Sequence, residues 1–223
     1  MGLDPLVLGA AEALGPAPED ARCAFCGTRC GPWGRVVPRD GVSSDAAGGE
    51  AADPARAPIP PRPACPLCAM ARTLSRPRVA EEARLVWLPE VSQPALSALA
   101  RGMAVRLAAA GERHDAAAGF LGDGPDLRAV HAARSALLAR AVEAEARTGT
   151  SSPRDLARAL LRLSPAAAAR LPERIGGLRV VPLGRLFEGG ADVFPDLAAL
   201  WATERPAPAA PLAAPDPSVV AAP

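Results

Sequence analysis

The sequence has no lysine, no asparagine and no tyrosine, and only 4 phenylalanines and 3 tryptophans among its 223 residues. With aromatics this sparse, core volume must come mostly from leucine and valine. The hydrophobic share of 49% overstates what can be buried, because much of it is alanine. A metal staple matters more in such a chain than in one with a rich apolar core. Absent lysine reads as a codon bias, so arginine in its place carries no message about phosphate binding. Absent asparagine removes one catalytic reading, taken up below.

Long apolar runs are lacking too. A membrane span needs about 20 consecutive apolar residues, and arginines interrupt even Leu96 to Ala110. The opening Met1 to Gly15 carries Asp4 and Glu12 and no basic n-region, which makes a poor secretory signal. A cytoplasmic, soluble protein without direct membrane insertion is expected. The net charge of +1 offers no global electrostatic reason to bind nucleic acid.

In a reducing compartment, 5 cysteines arranged as two close pairs and one extra read as metal ligands before they read as disulfides. The pairs are Cys23-Ala-Phe-Cys26 and Cys65-Pro-Leu-Cys68. Two Cys-x-x-Cys knuckles bring four thiolates to one point, as a tetrahedral structural Zn²⁺ requires. Gly27 follows the first pair, where positive φ is tolerated, and Pro66 stiffens the second from inside. Cys23, Cys26, Cys65 and Cys68 are therefore the expected zinc ligands. Cys30 reads as a free surface thiol, the alternatives being that it replaces Cys26 or extends the site. A four-thiolate site leaves no position for substrate or activated water, so the metal serves folding and not catalysis.

Along the chain, residues 1–21 read as a flexible N-terminal arm and 22–90 as a zinc-knuckle module with short strands, ββα-like, interrupted by a disordered insert at about 43–63. Within it, Arg35-Val36-Val37 and Arg84-Leu85-Val86-Trp87-Leu88 have the β-branched and apolar character of strands. Residues 91–204 read as a helical domain. Ser92-Gln93-Pro94 starts a helix whose stripe is Leu96, Leu99, Met103 and Leu107. After a break at Gly119 to Pro125, a second helix runs from Asp126 to Gly149, and Ser152-Pro153-Arg154-Asp155 starts a third. Ser164-Pro165 starts a short one to Leu171, Leu178 to Leu183 reads as extended, and Phe194 to Ala202 as a last helix anchored by Trp201. Residues 205–223 are a Pro/Ala-rich tail without a basis for order. The fold class expected is α+β, a small Cys₄ module packed on a mainly helical domain.

A nuclease of the His-Asn-His kind builds its ββα motif beside such knuckles and needs a histidine base on the strand after the first. Val36-Val37-Pro38-Arg39-Asp40 supplies none, the histidines are His114 and His131 in downstream helical sequence, and asparagine is missing. Gly119 to Gly124 follows no strand and lacks the Lys-Ser/Thr ending of a phosphate loop. No catalytic residues and no small-molecule substrate are expected. Arg35, Arg39, Arg62, Arg72, Arg76 and Arg78 gather around the knuckles but lack interleaved aromatics, and they read as a solvated basic surface. The Leu-rich helices offer a groove for a partner helix more naturally.

Cys23-Ala-Phe-Cys26-Gly27, Cys65-Pro-Leu-Cys68 and the phrase Leu85-Val86-Trp87-Leu88-Pro89-Glu90-Val91-Ser92-Gln93-Pro94-Ala95-Leu96 resemble, in order and wording, the IcmJ (DotN) family of type IVB secretion systems. A weaker echo follows in Gly177-Leu178-Arg179-Val180-Val181-Pro182 and the late Trp201, so the resemblance spans about residues 22–202. It implies a zinc-containing relative of the His-Asn-His fold without catalysis. Such a subunit attaches to the C-terminal tail of the coupling ATPase and, with other coupling-complex subunits, helps to present substrates at the inner membrane. The competing expectation is a zinc-ribbon nucleic-acid-binding protein or residual nuclease.

Overall fold

The computed structural model describes residues 8–10, 12–38, 60–111, 125–164, 166–167 and 170–204. His114, Arg39, the Gly119 to Gly124 break and the tail over 205–223 lie outside them, as do most of the insert at 43–63, the first seven residues and part of the short helix expected after Ser164.

The fold is α+β. Three short strands, β1 (Gly15–Pro16), β2 (Arg35–Val37) and β3 (Arg62–Ala64), form an antiparallel sheet in that order. Helix α1 (Pro66–Arg72) follows β3 directly, so the ββα arrangement expected around the cysteines is present. Pro63 sits inside β3 without breaking it. Its carbonyl accepts from Ala24 N at 2.9 Å on the side away from β2, so the missing N–H is not one the ladder uses.

Two expectations about this region are corrected. Residues 8–10 and 12–21 are not a loose arm: Leu8, Ala10 and Ala17 are buried, Gly9 bonds to Ala71 and Leu74, and Leu14 and Ala17 donate to Val36 and Gly34. The last residues assigned to the disordered insert, Arg62 and Pro63, are strand residues. In both cases a neighbouring strand or helix supplies the backbone partners that the local sequence does not advertise.

Helix α2 (Val79–Glu82) leads into β4 (Ala83–Trp87), and the long helix α3 (Gln93–Ala109) follows. Ser92 caps α3, its hydroxyl accepting from Ala95 N at 3.3 Å, with Pro94 in the first turn. Its buried face is Leu96, Ala100, Met103, Ala104 and Leu107. Leu99, expected in this stripe, is exposed, because at 100° per residue it lies well to one side of the line from Leu96 through Ala100 to Leu107.

The helix expected from Asp126 to Gly149 is two: α4 (Pro125–Ala139) and α5 (Ala141–Thr148). They part at Arg140, whose carbonyl accepts from Trp87 N at 3.2 Å and so partners the outer edge of β4. Beyond the break Val142 is exposed and Ala144 takes the inward position. Gly149 stops α5 at φ +78°, as expected of a C-terminal glycine. Next come α6 (Pro153–Leu160), capped by Ser152, and α7 (Leu171–Ile175). The last described elements are β5 (Leu178–Pro182), the hairpin of β6 (Phe187–Glu188) and β7 (Ala191–Asp192), and α8 (Phe194–Thr203).

The joint of the molecule is the antiparallel pair β4–β5, in register from Ala83↔Pro182 to Trp87↔Leu178. Ala83, Leu85, Leu178 and Val180 enter the main core, while Val86, Leu88 and Val181 meet Leu96 on the opposite face. Burial on both faces explains the consecutive apolar runs Leu85-Val86 and Val180-Val181. The main core also contains Cys23, Phe25, Leu67, Met70, Phe194 and Trp201. The boundary expected between residues 90 and 91 therefore falls inside one packed unit. No helix among the described residues is long and apolar enough to cross a membrane.

Gln93 fastens this joint. Its Oε1 accepts from Val180 N at 2.7 Å, and its Nε2 donates to Val180 O at 2.9 Å, so a side-chain amide acts as a third strand along β5. Gln93→Ala strands a buried N–H and C=O, each costing about 1–3 kcal/mol. The expected loss is about 2–4 kcal/mol in urea unfolding. A loss below about 1 kcal/mol would contradict this role.

Candidate metal centre

The first knuckle is a closed turn. Cys23 N donates to Thr28 O at 2.7 Å and Gly27 N to Cys23 O at 2.9 Å, with Gly27 at φ +73°, a conformation glycine adopts without strain. Cys30 N donates to Ala21 O at 2.8 Å, closing the base of the loop. The second pair is not a loop turn but the start of α1. Cys65 is the N-terminal flanking residue, Pro66 is the first helical position, and Cys68 lies in the first turn. Three-residue separation on a helix puts both sulfurs on one face.

The four expected ligands converge. The Sγ atoms of Cys23, Cys26, Cys65 and Cys68 all lie within 4.8 Å of one another, and Cys26 Sγ is 3.6 Å from Cys65 Sγ. A disulfide needs about 2.05 Å; a tetrahedral metal with bonds of about 2.3 Å separates its sulfurs by about 3.8 Å. All five cysteines are free, and the spacing fits a shared cation. Cys23, Cys65 and Cys68 are buried, while Cys26 is partly exposed. The cluster can hold a metal ion, and among the described residues it is the one such group of three or more His, Cys, Asp or Glu.

Thiols this close do not ionise independently. Hydrogen bonds from Cys23, Cys65, Cys68 and Thr28 stabilise the Cys26 thiolate and lower its pKa, whereas bonding to Cys23 and Cys26, with burial behind it, pushes Cys65 well above the ordinary thiol range. Cys30 is not a surface thiol. It is buried outside the four-sulfur cluster, and burial, with Cys23 and Cys26 nearby, pushes it up to about 12. Gly34 makes room for it: a Cβ there would stand 2.5 Å from Cys30 Cβ.

Among the described arginines around the knuckles, Arg35, Arg72, Arg76 and Arg78 are engaged by acids or carbonyls and are not a freely solvated basic surface. Arg72 is buried, donates to Pro38 O and lies 5.9 Å from the centre of the Phe25 ring. Arg76 forks onto Glu82 at 3.1 and 3.0 Å and reaches Glu188 at 3.2 Å, and Glu188 also pairs with Arg35. Arg78 pairs with Glu81 at 2.6 Å and covers the Phe187 ring at 3.3 Å. Arg62 is half-buried in β3. His131 is on α4, on neither cysteine-bearing segment.

The sequence matches no protein-family model and no curated protein. The sequence marked the four sulfurs but not the tie between Thr28 in the first knuckle and Arg101 on α3, which hydrogen-bond to one another. Thr28, two residues past Cys26, was the available signal; Arg101, 73 residues further on, had none.

Proposed function

We propose that this chain is a zinc-stapled, non-catalytic adaptor, an IcmJ (DotN)-like subunit of a type IVB secretion coupling complex that binds the C-terminal tail of the coupling ATPase in the cytoplasm and helps to recruit substrates. Zinc is the natural occupant of four thiolates at tetrahedral spacing, and with all four positions filled by protein it contributes folding energy and no reaction. One observation carries the family reading. The two stretches bearing the late resemblance, Leu85 to Leu96 and Gly177 to Pro182, are far apart in sequence yet pair as β4 and β5, and Gln93 of the first is bonded through both amide atoms to Val180 of the second. Gly177 supports the same joint, since a Cβ on it would stand 2.5 Å from the Trp87 ring. Motif residues that lock one another form a coherent unit, which supports a shared scaffold over a coincidence of short phrases.

The engagement of Arg35, Arg72, Arg76 and Arg78 with carboxylates and carbonyls favours a protein partner over nucleic acid, because these charges are already neutralised or buried. A pull-down of the full chain with tails of candidate coupling ATPases tests the proposal. Retention by such a tail at physiological salt is expected. Failure to bind any tail, together with salt-sensitive DNA binding or metal-dependent cleavage, would overturn it in favour of a zinc-ribbon nucleic-acid protein or residual nuclease.

A further inference from the structure

Of the four cysteines whose sulfurs converge, Cys26 is the one that is not buried, so an oxidant arriving from solvent meets it first. Its Sγ stands 3.6 Å from that of Cys65, on the other cysteine-bearing segment. Cys65 is 3% exposed, which leaves it in reach of Cys26 and out of reach of most solutes. Cys30 is buried and stands outside the four-sulfur group.

The backbones that carry the Cys26–Cys65 pair are already fixed to one another. Ala24 N donates to Pro63 O at 2.9 Å, two residues before Cys26 and two before Cys65. Phe25, beside Cys26, is 1% exposed, with Arg72 of α1 5.9 Å from its ring centre. A disulfide needs its sulfurs about 2.05 Å apart. With both backbones held, rotation of the two side chains closes that gap while the knuckle stays seated on α1.

The geometry points to an oxidation-sensitive staple: hydrogen peroxide joins Cys26 to Cys65, which releases the metal and leaves a covalent tie between the same two segments. In the first step the Cys26 thiolate attacks one peroxide oxygen and the O–O bond breaks. Hydroxide leaves, and Cys26 carries a sulfenic acid. In the second step the Cys65 thiolate attacks that sulfur, the S–O bond breaks and a second hydroxide leaves. The two sulfurs have lost two electrons and the peroxide has gained them. Cys23 and Cys68 then remain as half of a tetrahedral set, too few to retain the ion. A small thiol reverses the bond by exchange and restores the ligands. The inference rests on the metal reading above.

The test treats the full chain, loaded with zinc, with hydrogen peroxide. It reads metal transfer to a chromophoric chelator, free thiols by alkylation in denaturant, and disulfides by fragmentation mass spectrometry. About one equivalent of zinc released for about two thiols lost, with Cys26 linked to Cys65 and Cys30 still reduced, is the expected result. Dithiothreitol and zinc should return the untreated state. The oxidised, metal-free chain should melt above the reduced chain stripped by a chelator, because the disulfide spans the segments that the metal spanned. Cys26→Ser should give no disulfide between the two segments, and the map of the unmutated protein decides the matter whether or not that variant folds. Zinc retained under peroxide, or released with a bond within one segment, a bond to Cys30 or a sulfinic acid in place of the disulfide, would overturn the switch and leave the metal reading standing. Untreated protein holding less than about half an equivalent of metal would overturn the metal reading and the switch with it.

Discussion

Cys65→Ser is expected to lower the melting temperature of the full chain by about 8–16 °C, and stripping the metal with a strong chelator should do the same. Cys65 is both one of the four converging sulfurs and the residue that opens α1: Ala69 N donates to its carbonyl at 2.8 Å, and the helix it starts buries Leu67, Met70 and Ala71. The knuckle facing it holds Phe25, one of few aromatics in the core, and bonds to β3 through Ala24 and Pro63. Opening the site therefore loosens a sheet, a helix and an aromatic together. Structural zinc contributes about 10–16 kcal/mol of apparent binding energy to small domains, comparable to the whole stability of a typical fold. If only about 4 kcal/mol of it is lost here, a chain of this size melts about 8–16 °C lower. Protons compete with the metal for thiolates, so the loaded protein should lose stability as pH falls, and the stripped protein should not show that added loss. Circular dichroism melts with and without chelator check both; an unchanged melting temperature in Cys65→Ser would remove the staple from the account.

Glu82→Ala is the second large effect. Glu81 and Glu82 are adjacent and chemically alike, yet Glu81 pairs with Arg78 at the surface while Glu82 is 1% exposed. The Glu82 carboxylate takes both arms of Arg76 and accepts from Phe187 N at 2.7 Å, while its backbone carbonyl accepts from Leu183 N at 2.7 Å. It thus ties α2 and β4 to the β6–β7 hairpin, and Glu188 extends the tie to Arg35 on β2. Removing it leaves the mostly buried Arg76 with one carboxylate instead of two and orphans a backbone N–H, at a cost of about 3–5 kcal/mol. Glu82→Gln keeps the acceptor for Phe187 and should cost less. Glu188→Ala should cost least, about 1 kcal/mol or under, since its side chain and those of its partners are about a fifth exposed and water can replace them. Denaturant unfolding of the three variants should give that order, and a Glu188 effect as large as that of Glu82 would contradict the buried-anchor reading.

These two predictions also divide what could be read from the chain from what could not. The cysteine spacing, the Ser92 and Ser152 caps each followed by proline, Gly149 as a stop and the paired apolar runs are local signals, and each appears in the structure where expected. Glu82 is different, because its partners Leu183 and Phe187 lie about a hundred residues away and only tertiary packing distinguishes it from Glu81. The same holds for β1: a strand of Gly15 and Pro16 has no period to detect and exists because β2 supplies its partners. Leu99 and Ala100 exchange the roles their hydrophobicity implies, since small residues let α3 approach its neighbours closely. Gln93 reads as an ordinary first-turn residue, yet it closes an edge of β5.

The central claim is that four sulfurs hold one metal ion and that the fold is built on it. X-ray absorption at the zinc edge, with metal analysis of freshly purified full chain, tests it most directly. About one equivalent of zinc surrounded by four sulfurs at about 2.3 Å is the predicted result. Less than about half an equivalent, or a shell in which nitrogen or oxygen replaces sulfur, would contradict it.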